Sequence, residues 1–169
     1  MGRARALRGI FGSMLDRLLR QPRRLDLTSG LPGSVRIRGG SADAGDEAAA
    51  YAAELRARQP PPGWNDRSWP PSTAAAAVDR RTGNVYRGHS AEPDVDVPPT
   101  VRKRLPISEE PWPADNCGEV KAASRAVENG ANLDDLQIAA VYGKSGRPRV
   151  PCRNCEQWIP GGGGRHAAS

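Results

Sequence analysis

The alternation of apolar and polar positions predicts a helix followed by a β-hairpin in the middle of the chain. Residues 43–58 are rich in alanine, which has a high helix propensity, and Asp43 is suited to cap the first turn. The small and apolar runs 73–79 and 84–88 flank the polar residues 80–83, which supply turn chemistry. These two runs therefore predict a pair of antiparallel strands.

A second set of elements is predicted towards the C-terminus. From Asn116 the apolar positions follow helical spacing as far as Asn129-Gly130, which is a typical helix stop. Residues 133–142 then predict a mostly buried strand, and Pro151 is well suited to begin a second helix. Residues 34–38, by contrast, are too few to predict a strand.

The first forty residues differ from the rest of the chain in both pattern and charge. Nine arginines against two acidic residues give this segment a net charge of +7, and its apolar residues fall on one helical stripe. One interpretation is a basic amphipathic helix that binds anionic lipid or a partner groove. The other is a helix that docks on the rest of the protein. The stripe consists of Leu7, Ile10, Phe11, Met14, Leu15, Leu18 and Leu19.

Composition divides the chain further. The chain contains sixteen prolines, nineteen glycines and one phenylalanine, and its mean hydropathy is -0.63. Part of it therefore buries too little apolar surface to offset the entropy lost on ordering, and we expect weakly ordered stretches in the N-terminal region, before residue 70. We expect a basic leader over 1–42, a helix with a Pro/Trp-rich linker over 43–72, and the domain that carries the cysteines over 73–169. In the linker, Trp64 and Trp69 could stack on a base, but packing against the domain edge is the favoured interpretation.

Beyond the leader the charges nearly balance. Residues 41–99 carry a net charge of -3 and residues 100–169 a net charge of +2, so composition alone does not demonstrate a phosphate-binding groove. No apolar run approaches the length of a membrane span, and Asp16 and Arg17 interrupt the candidate signal core. We expect no stable membrane insertion, no secretory signal, and a cytoplasmic location unless the protein is exported by another route.

All three cysteines of the chain occur in two short motifs, Cys117-Gly118-Glu119 and Pro151-Cys152-Arg153-Asn154-Cys155. Three thiolates leave the fourth position of a tetrahedral zinc site open for water, which the metal activates. A glutamate two residues after the first ligand is then free to carry protons. Zinc-dependent nucleobase deaminases have this signature: a His or Cys, any residue, Glu, and later Pro-Cys-x-x-Cys. The spacing predicts three zinc ligands and one catalytic carboxylate: Cys117, Cys152, Cys155 and Glu119.

The predicted helices explain how the thiols would meet. Cys117 is expected in the first turn of one helix, and Cys152 and Cys155 in the first turn of the next. Two other interpretations stay open. A structural zinc site usually has a fourth protein ligand, which His89 or His166 could supply. A catalytically inactive, zinc-stabilised module that binds a partner or a membrane surface through the basic leader would hold the same metal.

Four stretches of the chain together resemble the YwqJ-like branch of the cytidine deaminase-like superfamily. They are residues 79–88, 116–119, 129–136 and 151–155, and the resemblance spans about residues 73 to 158. It implies an α/β/α sandwich, zinc at the three cysteines, a proton shuttle at the glutamate, and a substrate that contains a nucleobase. Members are often toxin modules of bacterial polymorphic toxins with dedicated immunity proteins, so an immunity protein is an expected partner.

The resemblance also leads to expectations about the substrate and about the number of strands in the sheet. A cytosine-type base is the expected target, either free or in nucleic acid. We predict that Gly118, His89, Ser90 and Trp112 contact the base or its sugar, and for Trp112 packing within the domain is an equally open interpretation. After Ile159 no apolar stretch remains for the strand that normally follows the second zinc-binding helix, so we expect a sheet truncated to three strands.

Overall fold

A computed structural model of the chain describes residues 34–36 and 42–159. The predicted amphipathic segment at 7–19 lies outside these residues, and so do His166 and most of the N-terminal region that was predicted to be weakly ordered. The fold is mixed α/β, in agreement with the class predicted from the sequence. No helix among the described residues is long and apolar enough to span a bilayer.

The centre of the fold is an antiparallel sheet, which has five strands among the described residues. In chain order the strands are β1 (Ser34–Arg36), β2 (Thr73–Asp79), β3 (Asn84–His89), β4 (Leu136–Tyr142) and β5 (Pro148–Arg149). Their order across the sheet is β1-β3-β2-β4-β5, and each neighbouring pair is antiparallel. In the middle of the sheet Thr73 pairs with Tyr142, and Asp79 pairs with Leu136.

The predicted hairpin is confirmed. Strands β2 and β3 pair from Ala74↔His89 to Val78↔Val85, and the turn between them contains Gly83 at a φ of 72°. Asp79 stabilises this turn, because its carboxylate accepts a hydrogen bond from the Arg81 backbone N–H at 2.9 Å and another from the Thr82 hydroxyl at 2.9 Å. The polar residues after β2 therefore fix the register of the two central strands.

Helices lie on both faces of the sheet. They are α1 (Ala44–Ala57), α2 (Pro99–Arg102), α3 (Gly118–Glu128) and α4 (Arg153–Glu156), with short 3-10 turns at Ala114–Asn116 and Leu133–Asp135. The predicted cap of α1 is confirmed: the Asp43 carboxylate accepts hydrogen bonds from the N–H groups of Gly45 and Asp46 at 2.8 and 3.2 Å.

Strand β2 shows how the three layers share the sheet. Ala74, Ala76 and Val78 pack in a core with α1, whereas Ala75 and Ala77 pack in a second core with α3. This alternation follows from the two-residue period of a strand. Small side chains on both faces allow the helices to lie close to the backbone of the sheet.

Gly88 in β3 shows how tight this packing is. A Cβ atom at Gly88 would lie 2.5 Å from the backbone nitrogen of Ala122 and 2.8 Å from the carbonyl oxygen of Gly118. Both atoms belong to α3, so that helix rests directly on β3. The start of α3 is thereby fixed against the end of β3, which is where the candidate site lies.

Two expectations about the sheet were wrong. Residues 34–36 do form a strand, because β3 supplies its hydrogen-bond partners through the pairs Ser34↔Tyr86 and Arg36↔Asn84. The sheet is also not reduced to three strands, since β5 turns back along β4 and pairs Arg149 with Ala140. In both cases a two- or three-residue strand depends on a long neighbour, which local periodicity does not reveal.

Candidate metal centre and its cavity

The three cysteines, which are distant in the chain, come together in one cluster. Their sulfur atoms all lie within 4.8 Å of one another, and the Sγ atoms of Cys117 and Cys152 are 3.5 Å apart. Cys117 and Cys155 are buried, Cys152 is half-buried, and none of the three forms a disulfide. The cluster can therefore hold a metal ion, as the spacing predicted.

The three thiols lie at the N-terminal ends of two helices. Cys117 is the N-cap of α3, with extended backbone angles (φ -76°, ψ 140°), and Cys152 is the N-cap of α4 (φ -72°, ψ 167°). The prediction had placed both residues inside the first turn, whereas each stands just before it. Cys155 lies one turn further on, and its N–H donates to the Cys152 carbonyl at 2.9 Å. The cap positions still bring the sulfurs together.

The pKa values of Cys152 and Cys155 are shifted in opposite directions by their surroundings. The hydrogen bond from Cys155 is the main factor that lowers the pKa of Cys152 to about 5, and a hydrogen bond with Cys117 acts in the same direction. Conversely, hydrogen bonds with Cys117 and Cys152, together with burial, raise the pKa of Cys155. The lowered pKa favours the thiolate form of Cys152, and the thiolate is the form that binds metals.

Glu119 lies beside the thiols but is not a member of their cluster. Its side chain belongs to the first turn of α3 and is only 3% exposed. Burial raises the pKa of this carboxyl group, and the nearby charge of Cys152 raises it further, although the backbone hydrogen bond at Glu119 and the charge of Arg149 oppose the shift. Glu119 is therefore a buried acid with a raised pKa next to a cluster that could hold a metal ion.

A cavity of about 440 Å³ opens onto the cluster. Cys117, Cys152 and Glu119 form part of its wall, whereas Cys155 is fully buried behind them. An ion held by the three sulfurs would therefore adjoin a space that a small molecule can occupy. The other lining residues are Trp64, Ser68, Ser72, Thr73, Ser90, Ala91, Trp112, Asn116 and Arg149.

The four predicted substrate contacts divide into two groups. Ser90 and Trp112 line the cavity, whereas Gly118 and His89 do not. Gly118 packs on β3 instead: a Cβ atom there would lie 3.2 Å from the Cα of His89 and 3.3 Å from the backbone nitrogen of Ser90. The absence of a side chain at Gly118 thus lets α3 begin against the sheet.

His89 is held in an aromatic cluster away from the thiols. Its ring centroid lies 6.4 Å from that of Tyr51 and 6.0 Å from those of Trp64 and Trp69. Its Nδ1 lies 3.0 Å from the Ser90 carbonyl oxygen, and its Nε2 lies 3.8 Å from a carboxylate oxygen of Glu92. Among the described residues, the group of candidate ligands contains the three cysteines and not His89.

Several cavity residues were not predicted. Arg149 reaches the wall because β5 turns back along β4, and its guanidinium lies 5.1 Å from the centre of the Tyr142 ring. The two linker tryptophans differ: Trp64 lines the cavity, whereas Trp69 is buried and donates its indole N–H to the Leu55 and Arg58 carbonyls. Packing was therefore the correct interpretation for Trp69. Trp64 also packs, with its ring centroid 5.5 Å from that of Trp69, and it lines the cavity as well.

Comparisons with known proteins do not add a relative to this geometry. No protein-family model, curated protein or solved structure matches the chain. What the site does is therefore inferred from its own residues.

Proposed function

We propose that the protein is a zinc-dependent hydrolytic deaminase of an amino-substituted nucleobase, of cytosine type, built on a cytidine deaminase-like fold. The observation that carries this proposal is one cavity wall that contains two of the clustered cysteines and the buried Glu119. A ligand cluster with three members, an adjoining cavity and a carboxyl group outside the cluster are the parts that metal-assisted hydrolysis requires.

The cysteine cluster fits zinc. Thiolates bound to tetrahedral zinc at about 2.3 Å are separated from each other by roughly 3.8 Å. The sulfurs here range from a 3.5 Å contact to separations within 4.8 Å, so small side-chain adjustments suffice. A structural site would normally close with a fourth protein ligand. The described part of the chain provides three, and the cavity borders two of them.

The protein's own residues supply binding and proton transfer. Zinc, when bound, would lower the pKa of a water molecule so that it attacks the carbon that carries the amino group. Glu119 would accept a proton from that water and deliver it to the ring nitrogen. It would then take the proton of the new hydroxyl group on that carbon and pass it to the departing amino group. Water is consumed, the carbon–nitrogen bond breaks, and the products are the keto base and ammonia.

The cavity supports a planar, aromatic substrate. Its volume of about 440 Å³ is within the range of small-molecule sites. Trp64 and Trp112 are both half-buried cavity residues, and indole rings are common stacking surfaces for bases. The amide group of Asn116, also on the wall, offers a hydrogen-bond donor and acceptor to a base edge.

Glu119→Gln tests the proposal, because it keeps the shape of the side chain and removes its capacity to accept a proton. Full-length protein loaded with zinc is incubated with cytosine, cytidine, cytidine 5′-monophosphate and cytosine-containing oligonucleotides, and uracil products and ammonia are quantified. We expect conversion of at least one substrate and a loss of at least about 100-fold in Glu119→Gln, with zinc content unchanged.

Glu128→Gln is the matched control, since Glu128 lies on the same helix but is exposed at its C-terminal end. It should retain wild-type activity. If wild type and Glu119→Gln are equally inactive on every substrate although zinc is bound, the enzymatic proposal is wrong. The zinc-stabilised binding module is then the remaining interpretation.

A further inference from the structure

Several exposed cations lie close to the cavity. The thirteen residues 143–155 contain four basic residues and no acidic residue. Arg67, Lys144 and Arg147 are exposed, and no ion pair between described residues involves any of them. We refer to Arg67, Lys144 and Arg147 as the basic rim.

Backbone contacts attach the basic rim to the cavity wall. The Lys144 ammonium donates a hydrogen bond to the Arg67 carbonyl at 3.1 Å, and Arg67 precedes the cavity residue Ser68. The N–H of Gly143, in the same turn, donates to the carbonyl of the cavity residue Ser72 at 3.1 Å. The Arg147 carbonyl closes the turn by accepting from the Tyr142 N–H at 2.9 Å. The rim is therefore a fixed continuation of the wall.

Two cations at the opposite end of the central strands have acidic partners. Arg81 and Arg104 lie near Asp135 and Asp134, at 3.7 and 3.1 Å respectively. These aspartates directly precede β4, whereas Lys144 and Arg147 follow its other end. The length of β4 therefore separates the two groups by about 20 Å, at about 3.3 Å per strand residue. Among the described residues, these two cations are therefore partly neutralised, whereas the three cations of the basic rim have no ion-pair partner.

The position of the basic rim indicates the size of its ligand. Arg149 lines the cavity, but none of the three rim residues does. A mononucleotide that fills the cavity can meet Arg149, whereas a ligand that also reaches the rim must extend beyond the cavity. Regularly spaced negative charges on either side of a base are the property of a polynucleotide.

Strand separation is the second requirement. A base inside a duplex cannot enter a cavity unless it is unpaired and unstacked. Single strands bind where a positive surface follows the backbone and aromatic rings stack with bases. Beside the rim, Tyr142 is 48% exposed, and Trp64 belongs to the cavity wall. On the other side of the site, Glu110 accepts a hydrogen bond from the Arg153 N–H, which marks the acidic border of this surface.

We propose that the substrate base is presented within a single-stranded nucleic acid, whose phosphates contact Arg67, Lys144 and Arg147 while one base occupies the cavity. This inference rests on the proposed function for the chemistry of the base. It goes beyond that function by excluding free nucleosides as the best ligands.

The test measures binding rather than turnover, so that it can be interpreted whether or not the protein is active. Zinc-loaded, full-length Glu119→Gln protein is titrated into fluorescent single-stranded DNA or RNA of about 12 nucleotides, which matches common site sizes. Anisotropy gives the affinity between about 50 and 200 mM salt. The basic rim is neutralised with Arg67→Gln, Lys144→Gln and Arg147→Gln together.

The control is a second triple variant, Arg81→Gln, Lys103→Gln and Arg104→Gln. It also removes three positive charges, but from exposed positions at the other end of the sheet. Like the rim variant, it retains the basic N-terminal segment. Because three phosphate contacts to a single strand contribute a salt slope of about -2, the rim variant should lose about that much slope. At about 50 mM salt it should bind at least ~10-fold more weakly, whereas the control changes by less than ~3-fold.

Equal affinities of the two triple variants would overturn the inference, and so would competition by cytidine 5′-monophosphate as effective as that by the oligonucleotide. Zinc content and melting temperature verify that each variant is folded, and Arg147→Gln alone should still reduce the slope by about 0.7. If free nucleoside is converted and the basic rim has no effect on oligonucleotide binding, the deaminase proposal is supported and the single-stranded substrate is rejected. Rim-dependent binding without conversion of any base would reject the deaminase and support the strand-binding surface.

Discussion

The Sγ atoms of Cys117 and Cys152 lie 3.5 Å apart, although 35 positions separate the two residues in the chain. Both are free thiols, so the contact is not covalent. Cys117 precedes α3, and Cys152 follows the β4–β5 hairpin and precedes α4. A bound metal would therefore replace a weak contact between two helix starts with coordinate bonds, which predicts that metal binding and folding are coupled.

Removal of the metal should destabilise the protein. We expect one zinc ion per chain after purification, and a lower melting temperature after chelation that is reversed when zinc is returned. Cys155→Ser should reduce zinc content at least ~10-fold, because it removes one of three ligands. Elemental analysis and thermal melts measure both effects.

Ser90→Ala is the control for this prediction. Ser90 lines the same cavity but does not belong to the sulfur cluster, so the variant should bind zinc normally. Full zinc content in Cys155→Ser would show that the three sulfurs do not act as a joint ligand set.

Arg87 should contribute strongly to stability. Its side chain is only 11% exposed and forms hydrogen-bonded ion pairs with Glu47 at 2.8 Å and with Glu54 at 2.7 Å, which join β3 to α1. Arg87→Met leaves Glu47, which is 14% exposed, without its cation. We expect the free energy of unfolding in denaturant titrations to fall by about 3 kcal/mol.

The matched variant is Arg81→Met in the same hairpin. Arg81 is 65% exposed, and it lies 3.7 Å from Asp135. Exposed ion pairs are worth little, so this change should cost less than about 1 kcal/mol. Similar losses in the two variants would contradict a special role for the Arg87 pairs.

Gly88→Ala should weaken the cysteine cluster, although Gly88 is not one of the cysteines or cavity residues. The added methyl group would collide with the backbone of α3 at Ala122 and Gly118, and backbone atoms cannot rotate away as a side chain can. We expect a loss of about 2 kcal/mol or more in unfolding free energy and weaker zinc binding, since Cys117 is the N-cap of α3. Denaturant titration and metal competition assays measure these effects.

Gly45→Ala is a comparison for Gly88→Ala. The new methyl group would meet only the Asp43 carboxylate at 2.9 Å, which can move at a partial cost to the helix cap. Alanine also favours the helical state, so the net change should stay within about 1 kcal/mol. A loss as large as that of Gly88→Ala would indicate that close packing of α3 is not the cause.

Tyr51 should make stability depend on pH in the alkaline range. Burial, and secondarily the charge of Glu92, raise the pKa of its phenol from 10.0 to about 12. The folded state thus favours the neutral phenol. The associated stability is fully present below pH 10, the unfolded pKa, and is lost as the pH rises through about 12.

The Tyr51→Phe variant isolates this effect. Between pH 10 and 12 the wild type should lose about 2 to 3 kcal/mol more unfolding free energy than Tyr51→Phe. Tyr142→Phe, at a position that is 48% exposed, should behave like the wild type. Parallel pH profiles for wild type and Tyr51→Phe would show that the phenol is not responsible.

The local elements could be predicted because their signals are local. Asp43 caps α1 through side-chain bonds within three residues, and Asp79 organises the turn that joins β2 to β3. The convergence of the cysteines was also predictable, since each motif lies at a helix start and needs only the helix–strand–helix order between them. The deaminase activity, the zinc identity and the toxin role implied by the resemblance remain predictions.

Features that depend on tertiary contacts were missed or misplaced. His89 was expected to contact substrate, but the cluster of Tyr51, Trp64 and Trp69 holds its ring, and these residues come from the helix and linker before the hairpin. Arg149 reaches the cavity only because a two-residue strand turns back on β4. Neither placement can be predicted from local periodicity, because each results from packing between segments that are distant in the chain.

Asn154, between Cys152 and Cys155, connects the sulfur cluster to an aromatic part of the cavity wall. It is fully buried, its amide oxygen accepts from the Glu109 N–H at 2.8 Å, and its amide nitrogen donates to the Ser108 hydroxyl at 2.9 Å. That hydroxyl in turn donates to the Trp112 carbonyl. An ion that draws α4 inward would therefore displace the main chain at Trp112, so the intrinsic fluorescence of the chain should report when the sulfurs are occupied.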